Sequence, residues 1–204
     1  MGFISTLPTL ASVVTINNPS FENPSVAPGG WTYGIDGWVT SGSAGVWDPS
    51  GWGFTAQNGH QIGFIGDGNG GGADGTASQT LTATLQPNST YNLSIQVVGR
   101  KDGYNPGTAY SISLYAGSSL LTLITPVTPQ PGSWTQLKTT YSTGGSLISS
   151  DPLEIVISSS AVQLDFDNVQ LNVTPVPEPS TVIAGAMLLL PFGVSTLRNL
   201  RRKS

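Results

Sequence analysis

The chain has 204 residues, a net charge of −4, a single histidine and no cysteine, and only 9% of its residues are charged. Disulfides, thiolate metal sites, a cysteine nucleophile and multi-histidine metal centres are thereby excluded. Residues 1–177 hold three basic residues (Arg100, Lys101, Lys138) against ten acidic ones, a poor endowment for gripping phosphate backbones, so no nucleic-acid partner is expected.

With 26 Gly, 15 Pro and 38% hydrophobic residues, the composition suits short strands joined by many turns rather than long helices. Residues 1–12 lie in the mildly apolar run MGFISTLPTLASVV, which lacks Lys and Arg. They read as the remnant of an export segment on a truncated chain, or a degenerate one. A β-domain is expected over 13–173. Its early part is rich in aromatic rings: Trp31, Tyr33, Trp38, Trp47, Trp52 and Phe54. Exposed rings of this kind can stack on sugar C–H faces, with Asp36, Asp48, Gln57 and Asn58 bonding hydroxyls. The alternative is that the rings close one end of the core.

Strands follow at Gln61–Ile65 and Thr76–Leu85, then around Tyr91–Val97 and Tyr110–Leu114, where apolar residues alternate with polar ones. Ser119–Ile124, Trp134–Tyr141, Leu153–Ile157 and Gln163–Val173 complete the set. In the last of these, Val162, Leu164 and Phe166 share one parity, and Val169, Leu171 and Val173 the other. A bulge at Asp167-Asn168 would return both sets to the core. Eight to ten short strands predict an all-β, two-sheet jelly-roll sandwich. The loop GDGNGGGADG at 66–75 matches no EF-hand spacing and reads as a connector. His60 has no GxSxG elbow to serve, and nothing in the sequence singles out a carboxylate pair.

Residues 174–204 form a linker and tail. Pro177-Glu178-Pro179 precedes an uncharged run, 179–197, and a basic end: Arg198, Arg201, Arg202, Lys203. As a helix over about 180–197 this run is long enough for a single C-terminal membrane span of roughly 28 Å. The basic end should stay cytoplasmic. Triplet, apolar run and basic cluster, in this order, resemble the PEP-CTERM sorting signal of Gram-negative bacteria. That resemblance implies an exosortase-type processing protease as partner, transient anchoring in the inner membrane, and delivery to the cell surface or the exopolysaccharide matrix.

The motifs INNPSFENP and FDNVQL, with the stretch from Gly72 to Gly103, resemble jelly-roll carbohydrate-binding-like modules. In such modules an early Glu and a late Asp share a structural calcium ion. The resemblance puts that role on Glu22, near the start of the first strand, and Asp167; a plain hydrogen-bonding role is the alternative. The sequence therefore leads to an exported, non-catalytic surface or matrix protein, with exopolysaccharide as a candidate ligand. A purely structural surface protein and a secreted carbohydrate-active enzyme are the alternatives.

Overall fold

The computed structural model describes residues 10–66, 73–102, 107–160 and 162–177. It is an all-β sandwich of jelly-roll type. The first sheet contains β1 (Ser12–Val13), β2 (Trp31–Tyr33), β4 (Ala44–Trp47), β5 (Ile62–Ile65), β7 (Ser89–Val98), β10 (Thr135–Ser142) and β12 (Leu164–Pro175). Its order is β10-β7-β12-β5-β4-β2, with β1 beside the far end of β12. The second sheet contains β3 (Val39–Gly42), β6 (Gly75–Thr84), β8 (Tyr110–Ala116), β9 (Ser119–Leu123) and β11 (Pro152–Ser159), in the order β3-β6-β11-β8-β9. All of these strand pairs are antiparallel.

Alternation decides which side chains enter the core. Tyr91, Leu93, Ile95 and Val97 of β7 face Ile112 and Leu114 of β8 and Leu153, Ile155 and Ile157 of β11 across the sandwich, all almost fully buried. Each such aliphatic side chain contributes about 1.5–3 kcal/mol of burial. β12 slips register between Asp167 and Gln170, where Asn168 turns into the left-handed region at φ 53°. The bulge puts Leu164 and Phe166 on one side of it and Val169 and Leu171 on the other into the same core.

Residues 14–30 run beneath the sandwich with no strand pairing, so their backbone groups need other partners. Two buried glutamines supply them. Gln79 accepts from the Asn17 amide (2.7 Å) and donates to the Asn17 and Gly37 carbonyls (2.9 and 2.8 Å). Gln61 accepts from the Val26 amide and donates to the carbonyls of Phe21 and Pro24. Glu22 lies in this strandless segment, nine residues beyond β1, and not at the start of a strand as the sequence suggests. The expected membrane helix and its basic end lie outside the described residues, as do Glu178 and Pro179. Among the described residues no helix is long and apolar enough to cross a membrane.

Candidate active site

Most strands of the first sheet bury one face, but β4 (AGVW) and β5 (IGFI) bury every residue. Their outer face is covered as well, and the register shows what lies on it. One row runs Trp31, Trp47, Ile62 across β2, β4 and β5; the next runs Tyr33, Gly45, Phe64, Asp165, Val98 across β2, β4, β5, β12 and β7. Trp47, Phe54, Ile62, Phe64 and Val98 form a second apolar cluster, with Ala56 and Trp134 against it. The loop 48–61 folds over this cluster, held by the Trp134 indole N–H donating to the Thr55 carbonyl at 2.9 Å. Gly45 is required here, because a Cβ would strike the Thr32 carbonyl and the Phe64 ring.

Beside the cluster opens a cavity of about 290 Å³, walled by Trp31, Tyr33, Trp47, Trp52 and Phe64, with Arg100 and Gln163 as polar members. The rings pack edge to face: Trp31 on Tyr33 at 5.1 Å, Trp31 on Phe64 at 6.2 Å and Trp47 on Trp52 at 5.6 Å. The Arg100 guanidinium carbon lies 4.9 Å from the Trp47 ring centre and 5.1 Å from that of Trp52, a cation on two π faces.

Under this wall sits a polar chain. Arg100 is ion-paired with Asp102 and donates from Nη1 to Gln163 Oε1 at 3.2 Å. Gln163 donates from Nε2 to Asp165 Oδ1 at 2.8 Å. Asp165 is 1% exposed. Burial pushes its carboxyl up to about 7, against the pull of the Gln163 hydrogen bond and the Arg100 charge, while Asp102 pushes the same way as burial. Since Gln163 both walls the cavity and bonds Asp165, a carboxyl that is neutral below about pH 7 lies one side chain from an aromatic pocket.

The sequence-predicted residues divide. Trp31 and Tyr33 are well exposed at 59% and 60% and, with Trp47 and Trp52, belong to the pocket. Trp38 is elsewhere: it packs on Phe21 in the sandwich core, its indole N–H donating to the Asn17 carbonyl at 3.0 Å. The burial that makes it a good core residue removes it from any ligand. Asp48 is also buried and accepts from the Ser50 amide, shaping the turn that presents Trp52. Asp165 was missed because it alternates with Leu164 and Phe166 and so reads as solvent-facing. The available signal was the doubly apolar β4 and β5 beside it.

Glu22 and Asp167 meet at one loop. Glu22 Oε1 accepts from the amides of His60 and Gln61 (2.9 and 2.8 Å). Asp167 Oδ2 accepts from Gln57 and Asn58 (2.8 and 2.7 Å), and Oδ1 from Asn168. Burial again dominates in raising Asp167 to about 7; the amides oppose it and the Glu22 charge adds to it. Hard carboxylate oxygens suit calcium, yet among the described residues no cluster of three or more His, Cys, Asp or Glu side chains forms here or elsewhere. What the contacts show is a clamp on loop 57–61, the loop that covers the outer face.

Comparison with known proteins bears on this arrangement. The family profile described as HpiC1 cyclase (HpiC1-like) matches residues 12–172. No curated protein matches. Among solved structures, the chain is similar to the Stig cyclase Fisc of Fischerella sp. TAU in complex with (3Z)-3-(1-methyl-2-pyrrolidinylidene)-3H-indole: TM-score 0.70, 22% identity, 82% of this chain and 100% of that one. It is similar also to a cyclase from Fischerella sp. TAU in complex with 4-(1H-indol-3-yl)butan-2-one, with a TM-score of 0.69, 22% identity and the same coverage. A more distant likeness is to TmCBM61 in complex with β-1,4-galactotriose: TM-score 0.50, 16% identity, 78% of this chain and 98% of that one. At these identities the structures show a shared sandwich fold, carbohydrate-binding modules included. The family match does more, because it overturns the expectation of a non-catalytic surface domain, which rested on the lack of a nucleophile motif. Over residues 12–172, four-fifths of its length, this chain belongs to the HpiC1-like cyclase family.

Proposed function

We propose that the chain is an acid–base cyclase, with Asp165 as the proton donor and the aromatic cavity as the binding site for a flat, indole-bearing substrate. The observation that carries this reading is the buried Asp165 carboxyl, held near neutrality and joined to the cavity through Gln163. Indole groups are present in the ligands of the Fischerella structures, and a cavity of about 290 Å³ is close to the lower end of the range for small-molecule sites.

The chemistry follows from the groups. A substrate ring seated in the cavity against Trp31, Tyr33 and Phe64 meets the carboxyl alongside the Gln163 amide, which stays in place. Asp165 transfers its proton to an electron-rich π bond of the substrate, leaving a carboxylate and a carbocation. Trp31, Tyr33 and Trp52 stabilise that positive charge with their π faces. A second π bond of the same substrate attacks the cation and closes the ring. Loss of a proton back to Asp165 restores the acid, so the product is an isomer of the substrate. A carboxyl whose pKa lies near the working pH is suited to both transfers. The test has two stages. The probe 4-(1H-indol-3-yl)butan-2-one should bind saturably in titration calorimetry. Indole-bearing alkenes should then be converted to isomers of unchanged mass, and Asp165→Asn should abolish conversion while sparing probe binding. Full turnover by Asp165→Asn would overturn the reading.

Two further proposals concern parts around the site. A structural calcium ion between Glu22 and Asp167 would relieve the repulsion of two carboxylates gripping one loop; it is supported by their convergence on loop 57–61, and a melting temperature indifferent to calcium and chelator would refute it. Export, with anchoring and exosortase-type processing through the tail, is supported by the order of the triplet, apolar run and basic end. It would be refuted by a full-length, cytosolic product in a host that carries the processing machinery.

A further inference from the structure

A side-chain amide has two orientations of nearly the same shape, related by exchange of its oxygen and nitrogen. Gln163 sits between two groups that want different things from it. A protonated Asp165 could give its O–H to an amide oxygen, which would draw the amide into the orientation opposite to the one observed. Arg100 offers only donors, five N–H groups and no acceptor. With the amide reversed, the Gln163 nitrogen would face Arg100 Nη1, two donors head to head, in a place where the Arg100 side chain is only 17% exposed. Leaving such groups unpaired is costly. In the observed orientation both contacts are satisfied, at 3.2 and 2.8 Å. Arg100 itself has little freedom, since Asp102 holds its Nε and Nη2 and its guanidinium carbon packs 4.9 Å from the Trp47 ring centre and 5.1 Å from that of Trp52.

We propose that Arg100 is a positioning residue for Asp165: by donating to Gln163 Oε1 it locks the amide with its nitrogen towards the carboxyl, which makes Asp165 Oδ1 an acceptor and assigns the acid proton to Oδ2. This rests on the reading of Asp165 as the acid and adds to it the choice of oxygen. The ion pair with Asp102 and the two tryptophans then have a role in orientation, carried through Arg100 and Gln163, besides walling the cavity. The charged groups acting on Asp165 are Arg100 and Asp102, and both belong to this device.

Infrared difference spectroscopy tests it without a substrate. At a pH well below 7, the protonated carboxyl band of Asp165 is the one lost in Asp165→Asn. In Arg100→Met that band should shift and split, as the freed amide reverses and accepts the O–H. Arg100→Lys, whose head group also only donates, should keep the native band. In the Gln163→Met background, Arg100→Met should change nothing further, because the coupling runs through the amide. If Arg100→Met does not fold, Arg100→Leu, which likewise offers no donor, should produce the same shift. An unshifted band in Arg100→Met or Arg100→Leu, or an equal shift with and without Gln163, overturns the proposal. The absence of any band lost in Asp165→Asn is a different result, and overturns the acid reading itself.

Discussion

The raised carboxyl value of Asp165 makes stability depend on pH, and Asp165→Asn isolates that dependence. An aspartate has an ordinary value of 3.8, and in the folded chain this one stands at about 7, chiefly through burial. Between those values the native state binds a proton that the unfolded chain has lost. Asp165 therefore contributes stability in full below about pH 4, and the contribution disappears as pH rises through about 7. Roughly three units at 1.36 kcal/mol each give ~4 kcal/mol across the window. Between about pH 5 and about pH 8, where both proteins can be handled, ~3 kcal/mol of it should be lost. Asparagine keeps the shape and the capacity to accept from Gln163 but carries no titrating proton. Urea unfolding of both proteins at the two pH values gives two differences in free energy, and other titrating groups cancel between them. The native protein should lose ~3 kcal/mol more than Asp165→Asn on going to the higher pH. Parallel losses would show that Asp165 is not held neutral by burial, and would remove the proton that the proposed chemistry uses.

Other substitutions test the surrounding construction. Gly45→Ala should cost about 2–3 kcal/mol in urea unfolding, since the added methyl meets the Thr32 carbonyl and the Phe64 ring on a strand buried on both faces. Gln79→Leu should cost ~3 kcal/mol, because the Asn17 amide and the carbonyls of Asn17 and Gly37 lose a buried partner at once. Trp52→Ala should weaken the indole probe about tenfold by calorimetry while changing stability by less than ~1 kcal/mol, as Trp52 is already 40% exposed.

The sandwich was legible wherever a strand buries one face only. Tyr91 to Val97, Ile112 to Leu114 and Leu153 to Ile157 alternate in sequence and sit in the core accordingly. The parity change around Asp167-Asn168 marked the bulge in β12 because apolar residues on both sides must reach the same core. The segment 31–47 was harder. Its strands are three or four residues long, and β4 and β5 are apolar on both parities, so alternation is lost. What covers their outer face, loop 48–61 and Trp134, comes partly from a distant stretch of chain. A polar residue in a strand next to them could not be placed inside or outside from its own neighbours.

That difficulty also explains why catalysis was not foreseen. A search for a nucleophile, a histidine triad or a carboxylate pair looks for several reactive groups at recognisable spacing. Acid-triggered ring closure needs less: one carboxyl kept neutral, and aromatic faces where positive charge develops. Neither has a sequence motif, since the first is created by burial and the second by cross-strand neighbours. Asp165 and Asp167 illustrate the point from adjacent positions on one face of β12. Burial raises both to about 7. Asp167 meets a row of backbone amides from loop 57–61 and serves to close the cover. Asp165 meets a glutamine that also walls the cavity. Two residues of strand therefore separate a carboxyl that holds the site together from the one proposed to act in it, and only the hydrogen-bonding partner each one finds tells them apart.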